Sequence, residues 1–373
     1  MTSNADAGVG TLRHALSNAN DNDTIVFDNS LAGQTITLAS DLPEITIYHL
    51  KIDASGLSDK VTIHGRNAHR IFYQTGRGVF AINNLAVMNG AATGGGGIYS
   101  FGDVSITNSI ISNNLGDYGG GIRSLRNISI TNSTVSGNST TGMGGGISSD
   151  GDVTIISSII SDNSAAYDGG GIYSNGDVSI IDSTISVNSA QYGGGISSSG
   201  NVSITNSIIS DNLVTLSSGG GIYSDDITIT NSTISGNSAQ WFGGGIRSSY
   251  NASIIDSTIS DNSAHYGGGI SSGGDLSIIK SNILNNLAEH GGGIYSSGNA
   301  SITNSTISDN SAKGRVGGIF CKGSVEVTIT NSIISGNSAA WVGSGIFNFF
   351  RSILMVSNCT IIESSTAVRV INQ

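Results

Sequence analysis

Trp241, His265 and Glu289 fall in one column when the chain is aligned on its internal repeats, and Phe242, Tyr266, His290 and Arg315 fill the next. Arg247 and Tyr295 are expected to point outward on the strand beside them. Stacked aromatic rings offer flat apolar faces with polar edges, which suits sugar rings. A histidine and a glutamate near an arginine could also take a proton and neutralise charge, the chemistry of a polysaccharide lyase. These are, however, the variable positions of the repeat, where surface residues drift. No catalytic residue is therefore assigned, and Trp241, Tyr266, His265, Glu289, His290, Arg247 and Tyr295 form the candidate glycan-binding set. Tyr118, Tyr167, Tyr192 and Trp341 lie along the same rim, with Tyr99, Tyr173 and Tyr223 beside it. Aromatic residues also simply cover strands, so the rim alone does not establish a ligand.

A repeat positions these residues. Gly-Gly-Gly-Ile recurs from Gly95-Gly96-Gly97-Ile98 to Gly291-Gly292-Gly293-Ile294 at intervals of 24 to 26 residues. Two degraded copies follow, Val316-Gly317-Gly318-Ile319 and Gly343-Ser344-Gly345-Ile346, making eleven. A fixed period of this size means that each repeat is one unit whose apolar face is covered only by its neighbours. Within one repeat, Ile172-Tyr173-Ser174, Val178-Ser179-Ile180 and Thr184-Ile185-Ser186 alternate with the period of a strand, and turn residues separate them. Three strands and three turns make one coil of a parallel β-helix. Successive coils stack about 4.8 Å apart, so equivalent residues form columns. Ile106 to Ile302 and Ile111 to Ile307 are the expected inward columns of a narrow, filled interior.

A polar column holds Asn114, Asn138, Asn163, Asn188, Asn212, Asn237, Asn262, Asn286, Asn310 and Asn337. Asn tolerates the left-handed turn conformation, and stacked amides can donate to one neighbour and accept from the other. Its uniformity favours a structural ladder over a ligand row. A second column runs through Asn108, Asn132, Ser157, Asp182, Asn206, Asn231, Asp256, Lys280, Asn304, Asn331 and Asn358. Lys280 breaks it, so that turn is expected to open to water. The glycine triplets read as tight corners where no Cβ fits. They are not phosphate loops, because no helix and no Lys-Ser/Thr follows them.

Residues 1–90 differ and read as an N-terminal cap with irregular first coils. Leu12, Ala15, Leu16 and Ala19 have helical spacing. Short strands are expected at 24–27, 35–38, 46–47, 50–53, 61–64 and 70–73. Residues 91–363 are the regular coils, and 364–373 form a tail without a capping device. The fold class is therefore all-β: a right-handed parallel β-helix, a three-sheet solenoid of about eleven regular coils, with an N-terminal capping helix.

Composition excludes several partners. The net charge of −11 without a Lys/Arg run argues against nucleic acid, and no stretch is apolar enough to span a bilayer. Charged residues are only 11% of the chain, but the register of the apolar residues excludes disorder. Cys321 and Cys359 occupy different repeat positions and read as two buried thiols. No cofactor and no metal site is expected. The start of the chain carries no basic and apolar leader pattern.

Gly8-Val9-Gly10-Thr11-Leu12-Arg13-His14-Ala15-Leu16 with Asp23-Thr24-Ile25-Val26-Phe27 is similar to the S-L-R-E-A-I … G-D-T-I-x-F opening box of the right-handed parallel β-helix repeat proteins of bacterial surfaces. His14 stands where that box has an acid. Gly-Gly-Gly-Ile followed by Ile-Ser-x-Asn resembles the Gly-Gly-Ala-Ile and Phe-x-x-Asn repeats of the polymorphic outer-membrane autotransporters, with Ile replacing Phe. The resemblance covers Thr11 to about Ile362. It implies an extracellular or cell-surface location and an adhesin-like or structural role. The leading reading is a non-enzymatic structural or adhesive module, and the aromatic rim points to a polysaccharide or cell-surface glycan as partner. The same fold carries pectate lyases and polygalacturonases, so a polysaccharide lyase or glycoside hydrolase working along an outer sheet is the alternative. Their Asn-Thr-Asp, Asp-Asp, Gly-His-Gly and Arg-Ile-Lys set is absent. Asp225-Asp226 is the only paired acid of the repeats and reads as a solvated turn. The calcium-binding nonapeptide is also absent. A further alternative is end-to-end self-association into fibres through the C-terminal edge.

Overall fold

Apolar–polar alternation over three to five residues turns each short run into a strand, and the turns between runs return the chain to the same register one coil later. The computed structural model describes residues 1–322, 325–348 and 353–362. The chain divides into two units, residues 1–184 and 185–373, and each is a parallel β-solenoid.

In the first unit, one sheet stacks Asp23–Val26, Leu50–Asp53, Val79–Asn83, Asp103–Thr107, Ile128–Thr131, Val153–Ile156 and Val178–Ile181. Its register aligns Ile25, Ile52, Ile82, Ile106, Ile130, Ile155 and Ile180 in one buried column. A second sheet runs from Thr35–Thr37 to Ile159–Ser161, and a third from Phe72–Gln74 to Ile172–Ser174. In the second unit the same three sheets recur, with inward columns Ile204 to Ile329, Ile209 to Ile334 and Ile196 to Ile346. Each fully buried isoleucine contributes about 2 kcal/mol, so the columns dominate cohesion.

Three findings modify the expectations. The described residues make about 13 turns, not eleven, because residues 23–90 already pair in the register of the later coils. Nine of the ten coils with a ladder asparagine also have a short fourth strand after it, such as Ser164–Ala165 and Ser263–Tyr266, and after Asn237 only isolated bridges at Ser238 take its place. The two-residue strands, such as Ser164–Ala165, are too short to show a period in sequence. Finally, Thr46–Ile47 is not a strand; only an isolated bridge joins Ile45 to Gln74.

The expected N-terminal helix spans Leu12–Ser17 and buries Leu12 and Leu16. The Thr11 hydroxyl caps it by accepting from the His14 N–H at 3.2 Å. Arg13 ties it down by donating to Asp6 Oδ1 at 2.7 Å and to the Asp41 and Ser40 carbonyls. The proposed tail at 364–373 lies outside the described residues.

The asparagine column is an interior ladder. Asn262 donates from Nδ2 to Asn286 Oδ1 at 3.0 Å and to the Ile234 carbonyl at 2.9 Å. Its own Oδ1 accepts from Asn237 N–H and Nδ2. Asn114 and Asn138 do the same in the first unit. The left-handed residue is not the ladder asparagine but the one before it: Asn113, Gly137 and Asp162, then Val187, Asp211 and Gly236. The second column, Asn108 to Asn358, is left-handed throughout, and Lys280 is exposed there with φ 50°. A serine ladder follows that column and escaped the sequence reading. Ser232 N–H donates to Ser257 Oγ at 3.1 Å, Ser257 N–H to Ser281 Oγ, and so on to Ser332. The Ser that follows every residue of that column except Asn358 was the available signal. Cys359 replaces it in the last described coil, donating to the Ile329 carbonyl, and is partly exposed rather than buried as expected. Cys321 is buried, which pushes its thiol up to about 12.

Candidate functional site

The rim in the second unit is built by strands Ser263–Tyr266, Leu287–His290 and Ser311–Arg315 of the short fourth sheet. It lies beside the third sheet, which carries Ile246–Ser248, Ile270–Ser272, Ile294–Ser296 and Ile319–Cys321. Between them sits the glycine corner. Gly243 has φ +62°, and a Cβ on Gly245 would lie 2.8 Å from the Gly269 carbonyl oxygen. That close approach brings the side chains on the two flanking strands into contact across the corner.

The register places Phe242 against Tyr266, Tyr266 against His290 and His290 against Arg315, the column expected from the repeat. Phe242 and Tyr266 stack at 4.9 Å between ring centroids, and Tyr266 and His290 at 5.3 Å. A second stack runs along the neighbouring strands, Tyr295 on Phe320 at 5.3 Å and Phe320 on Phe347 at 5.4 Å. Tyr266 joins the two stacks through Tyr295 at 5.2 Å. Tyr295 leaves its strand on the outer side, as expected, but is covered: it is 6% exposed and packs with Val316 and Phe320. It is a floor, not a projecting ring. Phe320 and Phe347 were missed by the sequence reading, although their place one and two coils after Tyr295 was legible.

Trp241 is 46% exposed and meets the His265 ring edge-on at 5.3 Å. His265 and Glu289 line one cavity of about 350 Å³ together with Gln240, Leu287 and Lys313. Tyr266, His290, Tyr295, Arg315, Phe320 and Lys322 line another of about 300 Å³. Strand alternation explains the division, since neighbours along a strand face opposite sides. Five of the seven candidate residues are thus split between two hollows, and Trp241 and Arg247 line neither. His265 and Glu289 make no ion pair; among the described residues the pairs are Arg13–Asp6, Lys51–Asp53, His69–Asp41 and Arg123–Asp150.

Arg247 lies over the Phe242 ring at 5.1 Å and donates to Ser271 Oγ at 2.9 Å. Desolvation lowers its pKa, and the nearby Tyr223 and Tyr295 oppose that shift. Desolvation also holds His290 below its ordinary value, aided by His265 and Arg315 and opposed by Glu289. The Arg315 N–H donates to His290 Nδ1 at 3.3 Å, which leaves Nε2 to carry the proton of the neutral ring. The site therefore presents aromatic faces together with imidazole, guanidinium, ammonium and carboxylate groups.

The rim aromatics elsewhere are more scattered. Tyr118 and Tyr167 project from the first unit, and in the second Trp341 is exposed while Tyr192 meets the Tyr223 ring edge-on at 5.9 Å. A hollow of about 450 Å³ lies elsewhere on the second unit, along the outer face of the sheet containing Ala252–Ile255. Its floor is Thr228, Ser253, Ser277, Ser301 and Thr328, and its edge is Asp226, Asn251, Asp275, Asn299 and Glu326. These edge oxygens accept the backbone N–H of the next coil, as Asp226 Oδ1 does from Asn251 at 2.8 Å and Asp275 Oδ1 from Asn299 at 3.0 Å. Asp226 is thus a rung and not merely a solvated turn.

Residues 170–316 match the family model of the right handed beta helix region. The chain is a right-handed parallel β-helix repeat protein. Residues 157–175 of this β-helix also match the Chlamydia polymorphic membrane protein repeat, and together the matches fit the bacterial-surface type. No curated protein and no solved structure matches the chain. No helix among the described residues is long and apolar enough to cross a membrane.

Proposed function

We propose that this β-helix is a non-enzymatic, extracellular or cell-surface adhesive module that binds glycans on the rim around Trp241 and Tyr266. The observation that carries the reading is the pair of aromatic stacks, Phe242–Tyr266–His290 and Tyr295–Phe320–Phe347, rising at one ring per coil beside two hollows. Ring faces and indole edges give a sugar both apolar contact and hydrogen-bond partners. The similarity of residues 157–175 to a polymorphic membrane protein repeat supports the surface location. The unpaired His265 and Glu289 favour binding over cleavage.

Trp241→Ala and Tyr266→Ala test the assignment. Each is expected to weaken binding to whichever glycan an array identifies by about tenfold, the loss of one sugar–ring contact. An array with no binder, or a binder indifferent to both substitutions, contradicts it.

A further inference from the structure

Basic residues are sparse in the second unit but not randomly placed. Between residues 185 and 348 the Lys and Arg residues are Arg247, Lys280, Lys313, Arg315 and Lys322. All but Lys280 belong to the aromatic rim: Arg315 and Lys322 line one hollow, Lys313 the adjoining one, and Arg247 covers Phe242. The described residues that line the Tyr266–Phe320 hollow include no carboxylate. Arg315 and Lys322 are exposed and take part in no ion pair among the described residues. In a chain of net charge −11, two free cations over an aromatic floor make a local reversal of sign.

We infer that the hollow lined by Tyr266, Tyr295, Phe320, Arg315 and Lys322 selects an anionic glycan, one bearing carboxylate or sulfate groups. The inference rests on the glycan-binding reading and names its ligand class. A sugar ring lies against the rings of Tyr266 and Phe320, and its acidic substituent meets Arg315 and Lys322. The guanidinium offers a planar fork of donors to a carboxylate or sulfate, and the ammonium adds a second point charge. His290 stays neutral near pH 7 and contributes a hydrogen-bond donor in place of charge.

The test titrates the full chain with three probes of equal length: a polyuronate oligosaccharide, a heparin-type sulfated oligosaccharide and a neutral glucan. At least one anionic probe is expected to bind about tenfold more tightly than the glucan, with an advantage that shrinks as salt rises. Whichever anionic probe binds identifies the acidic group. Arg315→Gln with Lys322→Gln is expected to bring the anionic probes down to the affinity of the glucan for the same variant; both side chains are exposed, and an unchanged melting curve confirms the fold. Equal binding of glucan and anionic probes, or a preference that survives the double variant, overturns the inference and leaves the glycan reading standing. No binding of any probe by the wild-type protein overturns both.

Discussion

Asn262 has no exposed surface and uses its amide completely, donating twice and accepting twice. Asn262→Ala leaves the Ile234 carbonyl and Asn237 N–H without their partners, at a cost of about 3 kcal/mol; a urea-melt midpoint equal to wild type would contradict this. His290 makes an opposite kind of prediction. Its folded pKa lies below its ordinary 6.5, mainly through desolvation, so the unfolded chain takes up the proton first as pH falls. Its contribution to stability is complete above 6.5 and is lost as pH drops from there through the lowered folded value. Chemical melts from pH 8 to pH 5 are expected to fall less steeply for His290→Gln than for wild type; equal slopes refute the assignment. The ladder was legible at this scale because Asn repeats without exception. The burial of Tyr295 was not, because it depends on Val316 and Phe320 from the next coil, and Val316 occupies a glycine position.

At the level of the coil, each turn before the ladder needs one left-handed residue. Asn, Asp or Gly supplies it at Asn113, Gly137, Asp162, Asp211, Gly236, Asp261, Asn285, Asp309 and Gly336, but at the remaining turn Val187 holds φ 57°. A β-branched residue is strained there by about 1–2 kcal/mol, whereas Asn adopts the conformation readily. Val187 is exposed, so the substitution disturbs no core. Val187→Asn is therefore expected to stabilise the protein by about 1 kcal/mol, read as a raised melting temperature; a lowered one contradicts the account. Three sheets per coil could be read from the alternation of Ile172-Tyr173-Ser174 and its companions. The fourth was hidden because strands such as Ser164–Ala165 hold too few residues to show a period. The first coils were also obscured, since Leu50–Asp53 and Val61–His64 lack the Gly-Gly-Gly-Ile marker yet pair in the same register.

Over the whole molecule, regularity and variation are separated. The inward Ile columns and the Asn and Ser ladders are nearly uniform and hold the coils together. The variation is concentrated on the rim, where Trp241, Tyr266, His290, Arg315 and Phe320 differ from their counterparts in other coils. A solenoid can vary such positions because most of its cohesion comes from the contacts between the inward columns of neighbouring coils. The central claim is binding without chemistry. It is tested most directly by incubating the full chain with one panel of neutral and acidic polysaccharides while recording retention of the protein and the appearance of new reducing or unsaturated ends. The account predicts retention on at least one polysaccharide, lost in Tyr266→Ala, with no new chain ends. New ends formed by the wild-type protein and lost in His265→Ala or Glu289→Ala, or no retention on any member of the panel, would contradict it.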